Sequence, residues 1–208
     1  MIDSTRGNVT IGKDCEIAES AVLIGPLLIG DRCRIGHGCV IGSDGEHRST
    51  PSDYSTPIRI GSDSVLTDHV VVQRAVGLGG PQTMIGDGCY LMHGAHVAHN
   101  CIVSKGVTMS PFVVLGGHCV VLPYATLGIH SATHQHVTVG AYAMVGMGSM
   151  VLGDVPNFEK VVGVPARCIG RNVVAMERRP VSMADIEQFE LLMEMHGGRR
   201  PMLTKTPA

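Results

Sequence analysis

Aliphatic residues recur every six positions along most of the chain. Ile11, Ile17, Leu23, Ile29, Ile35 and Ile41 form the first run, and Gly12, Gly30, Gly36 and Gly42 each follow one of them. The series returns at Ile60, Leu66 and Val72. From Ile85 it holds through Leu91, Val97, Val103, Met109, Leu115, Val121, Leu127, Val139, Val145 and Val151, with Thr133 the one polar member. Neither a helix, with its period of 3.6, nor a long strand, with its period of two, gives this spacing. A fixed period marks a repeat architecture, here short strands separated by turns. Three such strands close a triangular coil of about eighteen residues, and successive coils stack at the strand spacing of ~4.8 Å.

A second series lies two residues before the first: Val9, Cys15, Ala21, Cys33 and Cys39, then Cys89, Ala95, Cys101, Val107, Val113, Cys119, Ala125, Ser131, Val137, Ala143 and Ser149. Positions two apart on a strand share a face, so these smaller side chains point inward beside the larger ones. Six of the seven cysteines fall in this register; Cys168 does not. They are expected to be buried small hydrophobes rather than disulfide partners or metal ligands.

The period breaks between Ile41 and Ile60 and again between Val72 and Ile85. The intervening stretches are polar or rich in Gly and Pro, and they predict loops at 43–59 and 73–84 that leave the coil. Insertions on a regular stack are favoured places for binding sites. The repeat decays after Val151, so residues 1–160 are expected to form the coil and 161–208 an extension. Within the extension, Ser182 to Asp185 reads as a capping-box variant. Ile186, Phe189, Leu192 and Met193 follow at helical spacing, predicting a short helix over about 183–196.

Composition narrows the function. The 208 residues are 44% hydrophobic but only 3% aromatic, so an aliphatic core is available and wholesale disorder is not expected. The 27 glycines are nearly twice the usual ~7% share, as turn-rich repeats require. A net charge of −2 argues against a broad nucleic-acid-binding face. No apolar stretch is long enough to span a bilayer, and the first residues lack a basic-then-apolar leader, so a cytoplasmic location is the expectation.

Histidines supply the candidate chemistry. His93, His96, His99, His118, His130, His134 and His136 crowd one stretch, and all lie outside the inward registers. Eighteen residues separate His99 from Gly117, and His118 from His136, which places each pair one coil apart. An imidazole can take a proton from an attacking hydroxyl or amine. A glycine amide beside it can stabilise the resulting oxyanion.

These features resemble the hexapeptide-repeat acyltransferases, and within them the UDP-N-acetylglucosamine acyltransferase family of lipid A biosynthesis. The resemblance rests on His96-Val97-Ala98-His99, on Gly117-His118, and on His134-Gln135 at matching intervals. It extends to Val72-Gln73-Arg74, to Val139 through Pro156, and to Asn172 through Arg179. It implies an all-β fold, a left-handed parallel β-helix with a short C-terminal α-helix, assembled as a homotrimer with sites between subunits. By position it implies His99 as general base, with Asn100 beside it, and Gly117 as oxyanion donor. His96, His118, His134, Gln135, Arg74, Asn172, Arg178 and Arg179 would contact substrate. The implied donor is an acyl-carrier-protein or acyl-CoA thioester, with no tightly bound cofactor and no metal. The implied acceptor is a sugar nucleotide or similar small alcohol or amine.

The chain departs from the family in three places. Asn100 stands where the family has Asp. The first loop offers Asp44, Glu46, His47 and Arg48 in place of an Asp-x-Lys element. About one C-terminal helix replaces several. A divergent acceptor specificity is therefore expected. The rival readings are an acetyl-CoA-dependent sugar acetyltransferase, a γ-carbonic-anhydrase-like zinc protein and a non-catalytic scaffold. His93, His118 and His136, spaced 25 and 18 apart, do not match the zinc-ligand spacing of the second rival.

Overall fold

A computed structural model describes residues 1–78 and 80–178. The chain forms the expected all-β, left-handed parallel β-helix. Two- and three-residue strands dominate, and they align into three parallel sheets. The first sheet runs from Ile2–Asp3 through Val71–Gln73, His96–Val97, Val114–Leu115 and Ala132–Thr133 to Met150–Val151. The second includes Ile102–Val103, Val120–Val121 and Thr138–Val139. The third includes Tyr90–Leu91, Thr108–Met109, Thr126–Leu127 and Met144–Val145. The registers Val97–Leu115–Thr133–Val151 and Val103–Val121–Val139 advance by eighteen residues per coil.

The inward series forms one continuous core along the helix axis. Thr133 is accommodated because its hydroxyl lies 3.1 Å from Cys119 Sγ. The cysteines do more than fill space. Cys33, Cys89, Cys101 and Cys119 donate from sulfur to the carbonyls of Gly61, Ser104, Gly116 and His134 at 3.0–3.1 Å, tying each coil to the next. Five of the six register cysteines are buried, and all are free thiols. Cys15, in the terminal coil, is only half-buried because no coil covers its other side.

Corners need a left-handed residue. From Gly88 to Gly148 every sixth residue has φ near +60°, and seven of these are Asn, His, Tyr or Phe: Asn100, Phe112, His118, Tyr124, His130, His136 and Tyr142. Only Asn and His among these are enriched in that region, so the ring-bearing corners are held by stacking. The rings align in columns, eighteen residues apart except for the sixteen between Tyr142 and Phe158. His118 and His136 occupy the corner between the first and second sheets. Tyr124, Tyr142 and Phe158 occupy the corner between the second and third. Phe112 and His130 stack at the remaining corner.

Both interruptions are loops, and they pair with each other. Ser52 bridges Val76, and the Asp53 amide donates to Ala75 O at 2.7 Å. After the last coil, Glu159–Val162 joins the third sheet in parallel and Arg167–Arg171 adds an antiparallel strand. A short helix, Val173–Arg178, then packs Ala175 on the tyrosine corner. Neither the hairpin nor this helix was expected from the sequence. The helix expected at about 183–196 lies outside the described residues.

Candidate active site

His99 leaves the first sheet just after the strand His96–Val97 and is 8% exposed at its corner. Its Nδ1 lies 2.9 Å from Asn100 Oδ1. Asn100 is buried, and the second loop fixes its orientation. Oδ1 accepts the Val76 amide at 3.0 Å, while Nδ2 donates to Pro81 O at 2.9 Å and to Val76 O at 3.3 Å. The Asn100 backbone amide donates to Thr83 Oγ1 at 2.9 Å. A flipped amide would set its NH₂ against an N–H and its oxygen against two carbonyls. Oδ1 is therefore the atom facing His99, and as a pure acceptor it requires the proton on Nδ1. The lone pair of neutral His99 then resides on Nε2, the atom that a general base needs free.

Gly117 lies one coil above. A Cβ there would fall 2.5 Å from His99 Cε1 and 2.7 Å from Nε2, so only glycine permits this approach. The register is held on both sides: the His118 amide donates to His99 O and the His136 amide to Gly117 O, each at 3.0 Å. Among the described residues the Gly117 amide itself has no acceptor. A base nitrogen and an unpaired N–H are thus set side by side.

Other histidines extend the cleft. The His118 ring meets the His99 ring edge-on at 5.1 Å and stacks on His136 at 4.6 Å. Burial holds His118 below the ordinary histidine range, and the charges of His136, His99 and His47 push the same way. His96 is lowered by burial too, with Glu46 opposing. His134 and Gln135 are exposed beside this corner, His134 Nδ1 lying 3.2 Å from Gln135 O.

Three expected substrate contacts lie elsewhere. Arg74 is wholly buried. Its guanidinium donates to Gly42 O, Asp53 O, Ile24 O and Gly25 O, under the ring of Tyr54 at 4.1 Å. It clamps the base of the first loop and has no surface for a ligand, because the loop that the sequence left unplaced folds over it. Asn172 sits at the tyrosine corner, donating to Tyr142 O at 2.9 Å, across the second sheet from His99. There it borders a groove of about 530 Å³ lined by Tyr124, Thr126, Lys160 and Val174. Arg178 is the last residue of the helix Val173–Arg178, and Arg179 lies outside the described residues.

Two neighbours of the site receive no role from the sequence. The eighteen-residue spacing sets His136 one coil from His118 but assigns it no role. His47 had no such signal. The first loop brings its ring to 5.9 Å from His99, edge to face. Among the described residues no group of three or more His, Cys, Asp or Glu side chains is arranged to hold a metal ion.

Comparison with known proteins fits this geometry. The family model for bacterial transferase hexapeptide (six repeats) matches residues 8–43 and 82–117. The acyl-(acyl-carrier-protein)–UDP-N-acetylglucosamine O-acyltransferase of Syntrophobacter fumaroxidans is 41% identical over 176 residues, covering 84% of this chain and 68% of that one. The enzyme of the same name from Bartonella bacilliformis is 32% identical, covering 90% of this chain and 73% of that one. The chain spans only 60% of the Synechocystis relative, which is 36% identical. A solved LpxA structure from Acinetobacter baumannii superposes with a TM-score of 0.81 at 26% identity, over 97% of this chain and 75% of that one. With that identity and coverage, and with the paired His99 and Gly117 where the repeat sets them, the chain belongs to the acyl-(acyl-carrier-protein)–UDP-N-acetylglucosamine O-acyltransferase family of hexapeptide-repeat transferases.

Proposed function

We propose that the chain transfers an acyl group from an acyl-carrier-protein thioester to a hydroxyl of UDP-N-acetylglucosamine or a close sugar nucleotide. The observation that carries this reading is the free Nε2 of His99 beside the unpaired amide of Gly117. In the proposed step Nε2 takes the proton of the acceptor hydroxyl as its oxygen attacks the thioester carbonyl. The carbonyl oxygen becomes an oxyanion and accepts from Gly117 N–H. Collapse expels the carrier thiolate, which takes the proton back from the imidazolium, so base and proton donor are one group. His96, His118, His134 and Gln135 border the space in which sugar and acyl chain would lie. The relatives' names supply both substrates.

A homotrimer accompanies this reading. Asn172 and the groove that it borders lie at a different corner from His99, so one chain cannot bring both to one substrate. A neighbouring copy can. Phe112, Val114, Ile129 and Met150 expose apolar surface along the first sheet and its far corner, as a face awaiting another subunit would. A nucleotide sugar and a carrier-bound thioester are cytoplasmic substrates, so the reading places the protein there. No helix among the described residues is long and apolar enough to cross a membrane.

The test is product formation by mass spectrometry from acyl carrier protein loaded with chains of graded length, plus UDP-N-acetylglucosamine, with acyl-CoA in a parallel reaction. O-acylated sugar nucleotide should form. His99→Ala should cut kcat by ~10²–10⁴ without unfolding the protein. Near-native turnover in that variant would move the chemistry off His99, and turnover with acetyl-CoA alone would favour the acetyltransferase alternative.

A further inference from the structure

We propose that His47 is a further substrate-contacting residue, donating from Nε2 to an acceptor oxygen next to the hydroxyl that His99 deprotonates. The assignment rests on the reading of His99 as base. Three observations carry it.

The first loop is built against the base. A Cβ on Gly45 would lie 2.4 Å from Val76 Cγ1 and 2.9 Å from His99 Cβ, so the loop backbone runs directly over His99. It is fixed there by the Gly45 amide on Ser52 Oγ at 2.9 Å, the Asp53 amide on Ala75 O and the buried Arg74 clamp. The ring of His47 thereby comes within 5.9 Å of the His99 ring at 84°.

The tautomer of His47 is also set. Its Nδ1 accepts the Thr50 amide at 3.0 Å, which leaves the proton of the neutral ring on Nε2. The side chain is exposed, and among the described residues Nε2–H has no partner. His99 is the opposite case, with its proton on Nδ1 and its lone pair on Nε2.

The cleft therefore presents an acceptor nitrogen and a donor nitrogen on adjacent rings. One small molecule can satisfy both through two oxygens on neighbouring carbons: a hydroxyl donating to His99 and an oxygen accepting from His47. A sugar offers that pair. The loop's own bonds do not involve Nε2, so that exposed N–H is open to a ligand.

The experiment compares native protein with His47→Phe, which keeps a ring against His99 but loses the N–H, and His47→Asn, which keeps a donor and can still accept from Thr50. Binding of UDP-N-acetylglucosamine and of UDP is measured by calorimetry, and KM for acceptor and acyl donor by steady-state kinetics. His47→Phe should bind the nucleotide sugar about tenfold more weakly, the effect of one lost hydrogen bond. Its acceptor KM should rise in step, with kcat within threefold and the donor KM unchanged. UDP should bind native and variant alike, and His47→Asn should recover most of the loss. Native-like binding by His47→Phe overturns the assignment while leaving His99 untouched. So does a fall in kcat without a change in binding, which would make His47 a prop for His99. An equal loss for UDP would move the contact to the diphosphate. No binding of the nucleotide sugar by native protein would sink the proposed acceptor and this assignment together.

Discussion

Asn100→Asp changes one atom at the point where the second loop meets the base. The Nδ2 donor becomes a carboxylate oxygen facing Pro81 O at 2.9 Å and Val76 O at 3.3 Å. Both carbonyls lose their partner in a buried setting, and an unsatisfied buried group costs about 1–3 kcal/mol. The two together amount to about 2–6 kcal/mol if the loop holds its place. For a domain of this size that corresponds to a fall in Tm on the order of 4–24 °C. The new carboxyl can recover one donor by staying protonated. Burial against two carbonyls raises its folded-state pKa above its unfolded value, so the folded state holds more protons. Stability is then highest below the unfolded carboxylate range and declines as pH rises through the folded one. In the same variant a carboxylate beside Nδ1 favours the imidazolium, so the acid limb of kcat/KM moves to higher pH than in native protein. Thermal melts from pH 4 to pH 8, with a pH profile of kcat/KM, read both effects. A variant with native Tm at pH 8 and an unmoved acid limb would refute the argument that the loop carbonyls hold the Asn100 amide and, through it, the His99 tautomer.

Two further outcomes are expected. Gly117→Ala places a methyl group 2.5 Å from His99 Cε1 and must turn the ring aside, so kcat should fall on the order of 10² with the melt little changed, since a side chain can yield where backbone cannot; native kcat would show that the ring need not sit there. Arg74→Leu strips the donors from the four carbonyls that hold the first loop. It should lower Tm, since a buried carbonyl left without a donor costs about 1–3 kcal/mol. A raised substrate KM at unchanged stability would restore Arg74 to the role that its motif suggested.

The six-residue period determined a great deal without any tertiary information. Inward registers, coil length and the stacking of Gly117 over His99 all follow from counting, because in a solenoid each coil contacts only its neighbours and a fixed offset in sequence is a fixed offset in space. For the same reason the cysteines could be read as core, although the carbonyl each one meets on the next coil could not. The loops obey no such rule. Residues 43–59 and 73–84 have no period, and what they touch depends on how two irregular segments pack on each other. Arg74 matched a site motif yet is buried, because the Asp53–Tyr54 stretch closes over it. His47 carried no spacing signal yet reaches the base. Asn172 lies in a matching segment, but the hairpin preceding it carries the chain to the tyrosine corner. Sequence therefore placed His99 and Gly117 side by side on adjacent coils. Only the tertiary structure decided which nitrogen of His99 carries its proton, because that is fixed by Val76 and Pro81, contributed by a loop whose path no repeat dictates.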